Sequence, residues 1–230
     1  MYKSEQLPLD LPQRAALGRD DFLVSPSNAA AVRLVDDWPN WPAHGAILIG
    51  PPGSGKSHLA QVWQAKSKAK ILTAQALNVA GLAEDFVNNA LAIEKTTVPV
   101  FEETALFHAL NLAKQRGGHV LITAQAEPSR WGVALPDLAS RLNALPLVHI
   151  LPPDDALLRG VLVKLFADRQ IAVDEPLVNY MVLRMPRSLS AARELVAAID
   201  AQALAKKAEI TRPFVAKVMA GFDNPDLFTN

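Results

Sequence analysis

Eight residues that follow the apolar stretch at 46–49 constrain this chain more than any other part of its sequence. They read Gly50, Pro51, Pro52, Gly53, Ser54, Gly55, Lys56 and Ser57, which is the spacing G-x-x-x-x-G-K-S/T. Glycines let consecutive backbone N–H groups surround phosphate oxygens, Lys56 can reach the β- and γ-phosphates, and the Ser57 hydroxyl can bind Mg²⁺. The helix that follows directs its positive end at the same anion. The sequence therefore predicts a buried strand, a phosphate-binding loop and a helix that together hold a nucleotide.

Charge and composition exclude several classes of function. Lys and Arg total 23 and Asp and Glu also total 23, so a chain that coats DNA nonspecifically is not expected. There is no cysteine, which excludes disulfides and cysteine-bound zinc. No apolar stretch approaches the roughly 20 residues of a membrane span, and the start lacks the apolar core of a signal peptide. We expect a cytoplasmic protein that does not bind a membrane.

Short apolar segments alternate with helical patterns in the first two thirds of the chain. Strands are predicted at 46–49, 70–73, 91–94, 120–123 and 147–150, and helices at 29–38, 102–116 and 136–142. This alternation is typical of an α/β fold, in which a parallel sheet carries helices on both faces. Ligands of such sheets bind at the carboxyl ends of the strands, where Gly50, Glu94 and Thr123 are placed.

The strand pattern ends at Leu151-Pro152-Pro153, and helical periodicity follows. Helices are predicted at 154–170, 177–184, 190–207 and 211–219, which form a small C-terminal α-helical domain. The predicted organisation is an extended tail at 1–15, a nucleotide-binding base domain at 16–151, a helical lid domain at 152–221 and a tail at 222–230.

The N-terminal tail contains the segment Gln6-Leu7-Pro8-Leu9-Asp10-Leu11-Pro12, in which apolar side chains alternate. Its prolines oppose a helix, so the segment is expected to be extended and exposed. The leucines either pack on the surface of the base domain or bind as a linear motif in a groove of another protein. The residues alone leave both alternatives open.

Glu94 ends a predicted buried strand beside the loop, where a carboxylate can hold Mg²⁺ or its waters. The alternative is a solvated strand end. Lys95 follows at the position where hydrolytic sites usually have a second carboxylate, and a lysine cannot accept a proton from water at neutral pH. The sequence thus indicates poor ATP hydrolysis by the chain itself, unless Glu102 or Glu103 replaces the missing group.

Two arginines are candidates for contacts with phosphate. Arg141 ends a predicted short helix and can act as an arginine finger on a neighbouring molecule, with a surface salt bridge as the alternative. Arg193 lies in the first turn of its helix if Ser190 is the N-cap, where a positive charge opposes the helix dipole by about 0.3–1 kcal/mol. A phosphate between the domains would reverse that penalty, and Arg187 is a weaker candidate for it. The histidines, His58 after the loop included, lack metal-ligand spacing and are interpreted as structural.

In order and spacing these segments resemble the AAA+ ATPases, and among them the replication initiator DnaA and its relatives. The matching segments are Phe22-Leu23-Val24 with Asn28, residues 50–57 as Walker A, Ala92-Ile93-Glu94 as Walker B, Thr123 near sensor 1, Ser140-Arg141-Leu142 as the arginine-finger box and Ala192-Arg193-Glu194-Leu195 as sensor 2. The resemblance covers about residues 19–220. It implies ADP or ATP as ligand, with Phe22, Val24, His58 and Arg193 at the nucleotide and Ser57 and Glu94 at Mg²⁺.

Two further features resemble the Hda-type regulators of this family, and the length of the helix and lid segments resembles their α-proteobacterial form. This sequence shows no helix-turn-helix pattern after the helical domain, where the initiator would continue into its DNA-binding domain, and Gln6, Leu7, Leu9 and Leu11 are similar to the peptide that docks on the DNA polymerase III sliding clamp. The resemblance implies a regulator without sequence-specific DNA binding that holds ADP on the DNA-loaded clamp. Its Arg141 would stimulate hydrolysis of ATP bound to DnaA.

Two residues depart from the family pattern. Lys95 replaces its second acidic residue, which argues against hydrolysis by the chain itself, and Asp137 stands where the initiator has an arginine. The alternatives are a stand-alone P-loop ATPase or phosphotransferase, and a helicase loader that binds single-stranded DNA. Association of the chain with itself through the AAA+ interface also stays open.

Overall fold

The computed structural model describes residues 22–96 and 101–222, except the side chains of Lys95, Thr96 and Phe222. Its centre is one sheet of five parallel strands in the spatial order β2-β3-β4-β1-β5. The strands are β1 (Gly45–Ile49), β2 (Lys70–Thr73), β3 (Ala90–Thr96), β4 (His119–Ala124) and β5 (Leu147–His149). The predicted parallel sheet is confirmed, and each strand lies within two residues of its predicted bounds.

Helices cover both faces of the sheet, as the strand-helix alternation predicts. One face packs against α3 (Leu82–Asp85), α4 (Glu103–Arg116) and α5 (Pro136–Asn143), and the other against α1 (Ala29–Asp37) and α2 (Lys56–Ser67). Helix α3 and two 3-10 turns, at Val87–Asn89 and Pro128–Arg130, were not predicted. They span three or four residues each, which is too short for a helical period to show in the sequence.

Strand β1 is buried along its whole length because both faces of the sheet are covered. Ile47 and Ile49 join the core beside α4 and α5, whereas Ala46 and Leu48 join the core beside α1 and α2. This alternation between two cores requires apolar residues at every position, so the strand reads as a continuous apolar run. The buried strand places the loop at 50–57 at its carboxyl end.

Four helices after the sheet form the lid domain, as predicted. They are α6 (Asp155–Ala167), α7 (Glu175–Val182), α8 (Leu189–Lys206) and α9 (Arg212–Phe222), and their inward side chains form a third core. The side chains of Asp154, Asp174 and Ser188 cap the first three of these helices. Within 22–96 and 101–222, no helix is both long enough and apolar enough to cross a membrane.

Helix α8 begins one residue earlier than predicted, and the prediction of Ser190 as its N-cap is wrong. Ser188 occupies that position, and its Oγ accepts a hydrogen bond from the Ala191 N–H at 3.3 Å. Ser190 is the second helical residue, and its hydroxyl lies 2.7 Å from the Ser188 hydroxyl. Two serines with the same capping chemistry stand two residues apart, so the sequence pattern did not distinguish them.

An aromatic cluster with two histidines closes the amino-terminal edge of the sheet. Trp41 stacks on Trp63 with ring centroids 5.6 Å apart, and the His119 ring meets Trp41 edge-on at 5.4 Å. The His44 ring lies 6.0 Å from His119. Burial, and secondarily the charge of His44, lowers the pKa of His119 below its ordinary value. The fold therefore favours neutral His119.

This arrangement predicts that the free energy of unfolding decreases as the pH falls below about 6.5, the ordinary pKa of histidine. His119 binds a proton more weakly in the folded chain than in the unfolded chain, so acid shifts the equilibrium toward unfolding. Urea unfolding measured between pH 5 and pH 8 should show a shallower pH slope for His119→Gln than for the unchanged chain. His108, which is exposed on α4, provides the control, because His108→Gln should keep the full slope. Equal slopes for all three proteins would contradict the assignment.

Candidate functional site

The phosphate-binding loop has the backbone conformation that its glycines predict. Gly53 has a φ of 70° and Gly55 a φ of 104°, both in the left-handed region, which residues with a Cβ atom rarely adopt. Helix α2 begins at Lys56, immediately after Gly55. The free N–H groups of its first turn therefore lie at the loop, where they can bind an anion.

Lys56 folds back over the loop. Its Nζ donates to the carbonyl oxygens of Gly50 at 2.7 Å and Pro51 at 2.8 Å. Burial lowers the pKa of the Lys56 ammonium below its ordinary value, and the negative charge of Glu94 opposes that shift. The loop lysine and the predicted Mg²⁺ ligand are therefore close enough to interact electrostatically.

Glu94 lies near the carboxyl end of β3, although the strand continues to Thr96 instead of ending at this carboxylate. The pairing of β3 with β4 is irregular between Ile93 and Thr96, and such an irregularity re-aims side chains. The Oε1 atom of Glu94 is buried and has no hydrogen-bond partner among the described residues. A buried carboxylate oxygen without a partner is costly, and a cation or its bound water would satisfy it.

These residues fit Mg²⁺ as the predictions place it. Ser57 is the second residue of α2 and its side chain is exposed. No group of three or more His, Asp or Glu side chains that could hold a metal occurs in the described part of the chain. Mg²⁺ at nucleotide sites needs no such group, because phosphate and water supply most of its ligands. Ser57 and Glu94 would supply the protein ligands.

Thr123 lies on β4, between the strands that carry Glu94 and the loop. It is 2% exposed and pairs in register with Leu48 of β1. The next residue, Ala124, accepts a hydrogen bond from the Gly50 N–H at 3.2 Å. The sheet order therefore brings the predicted sensor 1 position and the loop together.

The lid domain contacts the loop directly through the start of α8. The Leu189 N–H donates to the carbonyl oxygen of Gly53 at 2.7 Å. A Cβ atom placed on Gly53 would lie 2.0 Å from Ser188 Oγ and 2.5 Å from Ser190 Oγ. We call this contact between Gly53 and residues 188–190 the loop-lid contact. Sequence reasoning missed it, since a serine before a helix signals a cap and not a tertiary neighbour.

Arg193 follows the loop-lid contact along α8. Ser190 and Leu189 precede it by three and four residues, so all three share one side of the helix. Because Ser188 is the N-cap, Arg193 lies in the second turn of α8. The prediction that Arg193 lies in the first turn, where its charge would oppose the helix dipole, is therefore wrong. Its side chain is exposed and makes no hydrogen bond or ion pair with the described residues. Arg193 is thus available for an anion at the loop.

The segment before α1 lies beside the loop, as its predicted role requires. Phe22 is 6% exposed and meets the His58 ring edge-on, with centroids 5.0 Å apart. A Cβ atom placed on Gly55 would lie 3.9 Å from Phe22 Cζ. Val24 is 52% exposed. Phe22 and His58 therefore form an aromatic wall next to the loop, and Val24 adds an exposed apolar side chain.

Helix α4 supports Arg141 at the end of α5. The Arg141 guanidinium lies over the Phe107 ring, 4.9 Å from its centroid. The carboxylate of Glu103 accepts hydrogen bonds from the N–H groups of Ala134 at 2.9 Å and Leu135 at 2.7 Å, immediately before α5. No carboxylate among the described residues forms an ion pair with Arg141. The alternative of a surface salt bridge is therefore not observed.

The hydrogen bonds of Glu103 also bear on whether this residue replaces the carboxylate that is missing at Lys95. Both oxygens of Glu103 bind backbone N–H groups of the segment before α5, so this carboxylate does not replace the group missing at Lys95. Glu102 is the exposed N-cap residue of α4. The Lys95 side chain and the residues predicted to bind the clamp, Gln6, Leu7, Leu9 and Leu11, lie outside the described part of the structure.

The loop-lid contact predicts that Gly53→Ala weakens ADP binding by about tenfold or more, equivalent to about 1.4 kcal/mol. The added methyl group would displace Ser188 and move the lid away from the loop. Gly117→Ala is the matched control, because Gly117 also has a positive φ, 63°, but no atom would lie within 4 Å of its Cβ. Both variants should lose about 1–2 kcal/mol of stability to left-handed strain. Titration calorimetry with ADP should show weaker binding for Gly53→Ala than for Gly117→Ala. Equal affinities of the two variants for ADP would contradict the role of the loop-lid contact.

Residues 155–219 match the protein family described as Hda, lid domain. The match begins with the first residue of α6 and ends within α9, so it coincides with the helical domain of the structure. An uncharacterized protein of Haemophilus influenzae is 29% identical over 118 residues. That similarity covers 51% of this chain and 51% of the relative, so the chain spans about half the length of the curated relative it matches.

The fold is similar to that of several solved structures. Domain III of the replication initiation protein DnaA from Thermotoga maritima has a TM-score of 0.76 and 18% identity, over 94% of this chain and 100% of that domain. AMPPCP-bound DnaA from Aquifex aeolicus has a TM-score of 0.65 and 16% identity, over 82% of this chain and 66% of that one.

A RuvB variant from Thermotoga maritima has a TM-score of 0.68 and 17% identity, over 87% of this chain and 70% of that one. At such identities these likenesses establish the fold, which DnaA and RuvB share. The family match names one group of proteins, and it covers only the helical domain at residues 155–219. Residues 155–219 thus match a lid domain of the Hda family, and the chain has the fold of DnaA domain III.

Proposed function

We propose that this chain is a cytoplasmic regulator of replication initiation that stimulates hydrolysis of ATP bound to the initiator DnaA. The Hda-family lid and the DnaA-like base support the assignment to this process. The support that α4 gives to Arg141 is the observation that carries the proposal. Phe107 stacks on the guanidinium while Glu103 fixes the start of α5, and no acidic partner in the described ranges neutralises the arginine.

Arg141 is the proposed catalytic residue, and it acts on the partner's nucleotide. Stacking occupies the flat face of a guanidinium and leaves its in-plane N–H groups available. These groups would donate to γ-phosphate oxygens of the DnaA-bound ATP and stabilise charge in the transition state. Arginine fingers of this kind accelerate hydrolysis by roughly 10³–10⁵-fold. Phe107 and Glu103 act as positioning residues.

The chain's own nucleotide has a different role in this proposal. ADP or ATP would bind the phosphate-binding loop, since the similar DnaA of Aquifex aeolicus is AMPPCP-bound and the glycine geometry with Lys56 suits phosphate. Mg²⁺ between Ser57 and Glu94 would neutralise phosphate charge. Arg193 would contact the same phosphates from the lid, so the bound nucleotide joins base and lid. Because Glu103 is engaged elsewhere and Lys95 lacks a carboxylate, hydrolysis by the chain itself should be slower than about 1 s⁻¹.

Docking on the DNA polymerase III sliding clamp would place this chain at its substrate. Gln6, Leu7, Leu9 and Leu11 resemble a clamp-binding peptide, in which apolar side chains enter a groove of the partner. A clamp loaded on DNA raises the local concentration of the regulator near newly replicated DNA and DnaA. Binding of single-stranded DNA without the clamp would instead favour a helicase loader, and fast hydrolysis by the isolated chain would favour a stand-alone ATPase.

The proposed arginine finger predicts that Arg141→Ala reduces stimulated hydrolysis of DnaA-bound ATP to nearly the unstimulated rate. The assay combines ATP-loaded DnaA, DNA-loaded clamp and this chain, and it measures the rate of ADP formation on DnaA. Phe107→Leu keeps an apolar side chain but removes the stacked ring, and it should lower the rate several-fold. Both variants should bind ADP as the unchanged chain does. Arg33→Ala, an exposed arginine of α1, is the control, and an effect equal to that of Arg141→Ala would refute the proposal.

The clamp motif predicts that replacing Gln6 and Leu7 by Ala abolishes both clamp binding and clamp-dependent stimulation. The loss follows because the anchoring amide and leucine no longer enter the clamp groove. Surface plasmon resonance on immobilised clamp measures the affinity, and Gln13→Ala in the same tail serves as the control. If the double variant binds the clamp normally, docking occurs elsewhere on the chain, although Arg141 could still act as proposed.

A further inference from the structure

A groove on the lid domain is separate from the nucleotide site. It lies between α7, α8 and α9 and has a volume of about 290 Å³. The residues that line it include Tyr180, Arg184, Met185, Leu195, Ala216 and Met219. The proposed action on DnaA-bound ATP uses none of them.

The floor of the groove is apolar and adaptable. Met185 is 7% exposed and Leu195 is 3% exposed, so both belong to the lid core while one side faces the groove. Ala216 contributes only a methyl group, which leaves the space open. Methionine is unbranched and polarisable, and surfaces rich in methionine accommodate apolar side chains of different shapes. The floor is therefore suited to an inserted apolar side chain.

Two positive charges lie on the ring of Tyr180, which lines the groove, and one of them, Arg212, lies just beyond the lining residues. The guanidinium carbon of Arg184 lies 4.2 Å from the centroid of Tyr180, and that of Arg212 lies 4.7 Å from it. Neither arginine forms an ion pair with any carboxylate that the structure describes. The like charges of two guanidiniums on one ring repel each other. Arg184 Nη1 donates to the Tyr180 carbonyl oxygen at 3.5 Å, and the other N–H groups of Arg184 and those of Arg212 are available to carboxylates. An anionic group at the rim would relieve the repulsion.

We infer that this groove binds a linear acidic peptide of a partner protein. The peptide's carboxylates pair with Arg184 and Arg212, and an adjacent bulky apolar side chain enters the space above Met185 and Leu195. Nucleic acid would use the arginines but not the apolar floor. The volume lies just below the roughly 300–1,000 Å³ of small-ligand pockets, which suits one or two anchoring side chains of a peptide. The inference does not depend on the proposed arginine finger.

The test measures fluorescence anisotropy of a labelled peptide, Gly-Asp-Asp-Leu-Phe-Gly, titrated with the full chain to roughly 1 mM, the limit of weak motif binding. Peptides with Asn-Asn in place of Asp-Asp, or Ser-Ser in place of Leu-Phe, should bind at least tenfold more weakly. A single-stranded DNA oligonucleotide should not compete with the acidic peptide. Failure of the acidic peptide to bind, or equal binding of all three peptides, would overturn the inference.

Variants of the chain separate the two parts of the site. Arg184→Glu combined with Arg212→Glu should weaken peptide binding at least tenfold. The control is Lys217→Glu, which reverses an exposed charge on α9, the helix that carries Arg212, and it should leave the affinity within twofold. Ala216→Phe fills the groove and should abolish binding while the arginines remain. Thermal unfolding shows whether each variant is folded. Peptide binding that survives both Ala216→Phe and the double arginine variant would contradict the assignment to this groove.

The chain's own sequence contains a competitor of the same chemistry. Asp226 is followed by Leu227 and Phe228, so the titration is repeated with Asp226→Asn, Leu227→Ser and Phe228→Ser combined in the full chain. Equal or tighter binding of the peptide to this variant agrees with the inference. If the peptide binds neither protein, the groove is not a docking site for acidic peptides.

Discussion

The hydrogen bond from the Leu189 N–H to the Gly53 carbonyl is the interaction on which the arrangement of the site depends. It connects the phosphate-binding loop to the first residue of α8 at 2.7 Å, and no residue larger than glycine fits at position 53 without displacing Ser188. The glycine thus has two functions, since its positive φ forms the loop and its missing Cβ admits the lid. Loop geometry and domain arrangement are set by one residue.

The sheet order explains why the other site residues converge. Strands β3, β4 and β1 are neighbours, so Glu94, Thr123 and the loop meet at one edge. Lys56 there interacts with the charge of Glu94, and Glu94 with Ser57 would hold Mg²⁺ beside a bound phosphate. Glu103 does not supply a second carboxylate at this edge, since it holds the segment before α5. Helix α4 therefore supports Arg141 through Phe107 and fixes the start of α5 through Glu103.

The sequence allowed the local features to be predicted but not the tertiary contacts. The glycine spacing and the buried apolar runs specified the loop, the parallel sheet and the lid, because each depends on a short continuous segment. The stacking of Arg141 on Phe107 and the binding of Glu103 before α5 join residues about thirty positions apart, and no local pattern marks such pairs. The Ser190 prediction was wrong because Ser188 has the same capping chemistry and the chain alone does not show which serine faces Gly53.

The central claim is that this chain keeps its own nucleotide while it promotes hydrolysis of a partner's nucleotide. It is tested most directly by loading DnaA with ATP labelled on the γ-phosphate and this chain with ADP labelled by a different isotope. Labelled phosphate and the ADP retained on this chain are then followed together on DNA-loaded clamp. The account predicts rapid release of phosphate from DnaA while the ADP stays on this chain over many turnovers. Phosphate release that requires loss of that ADP and transfer of ATP to this chain would contradict it.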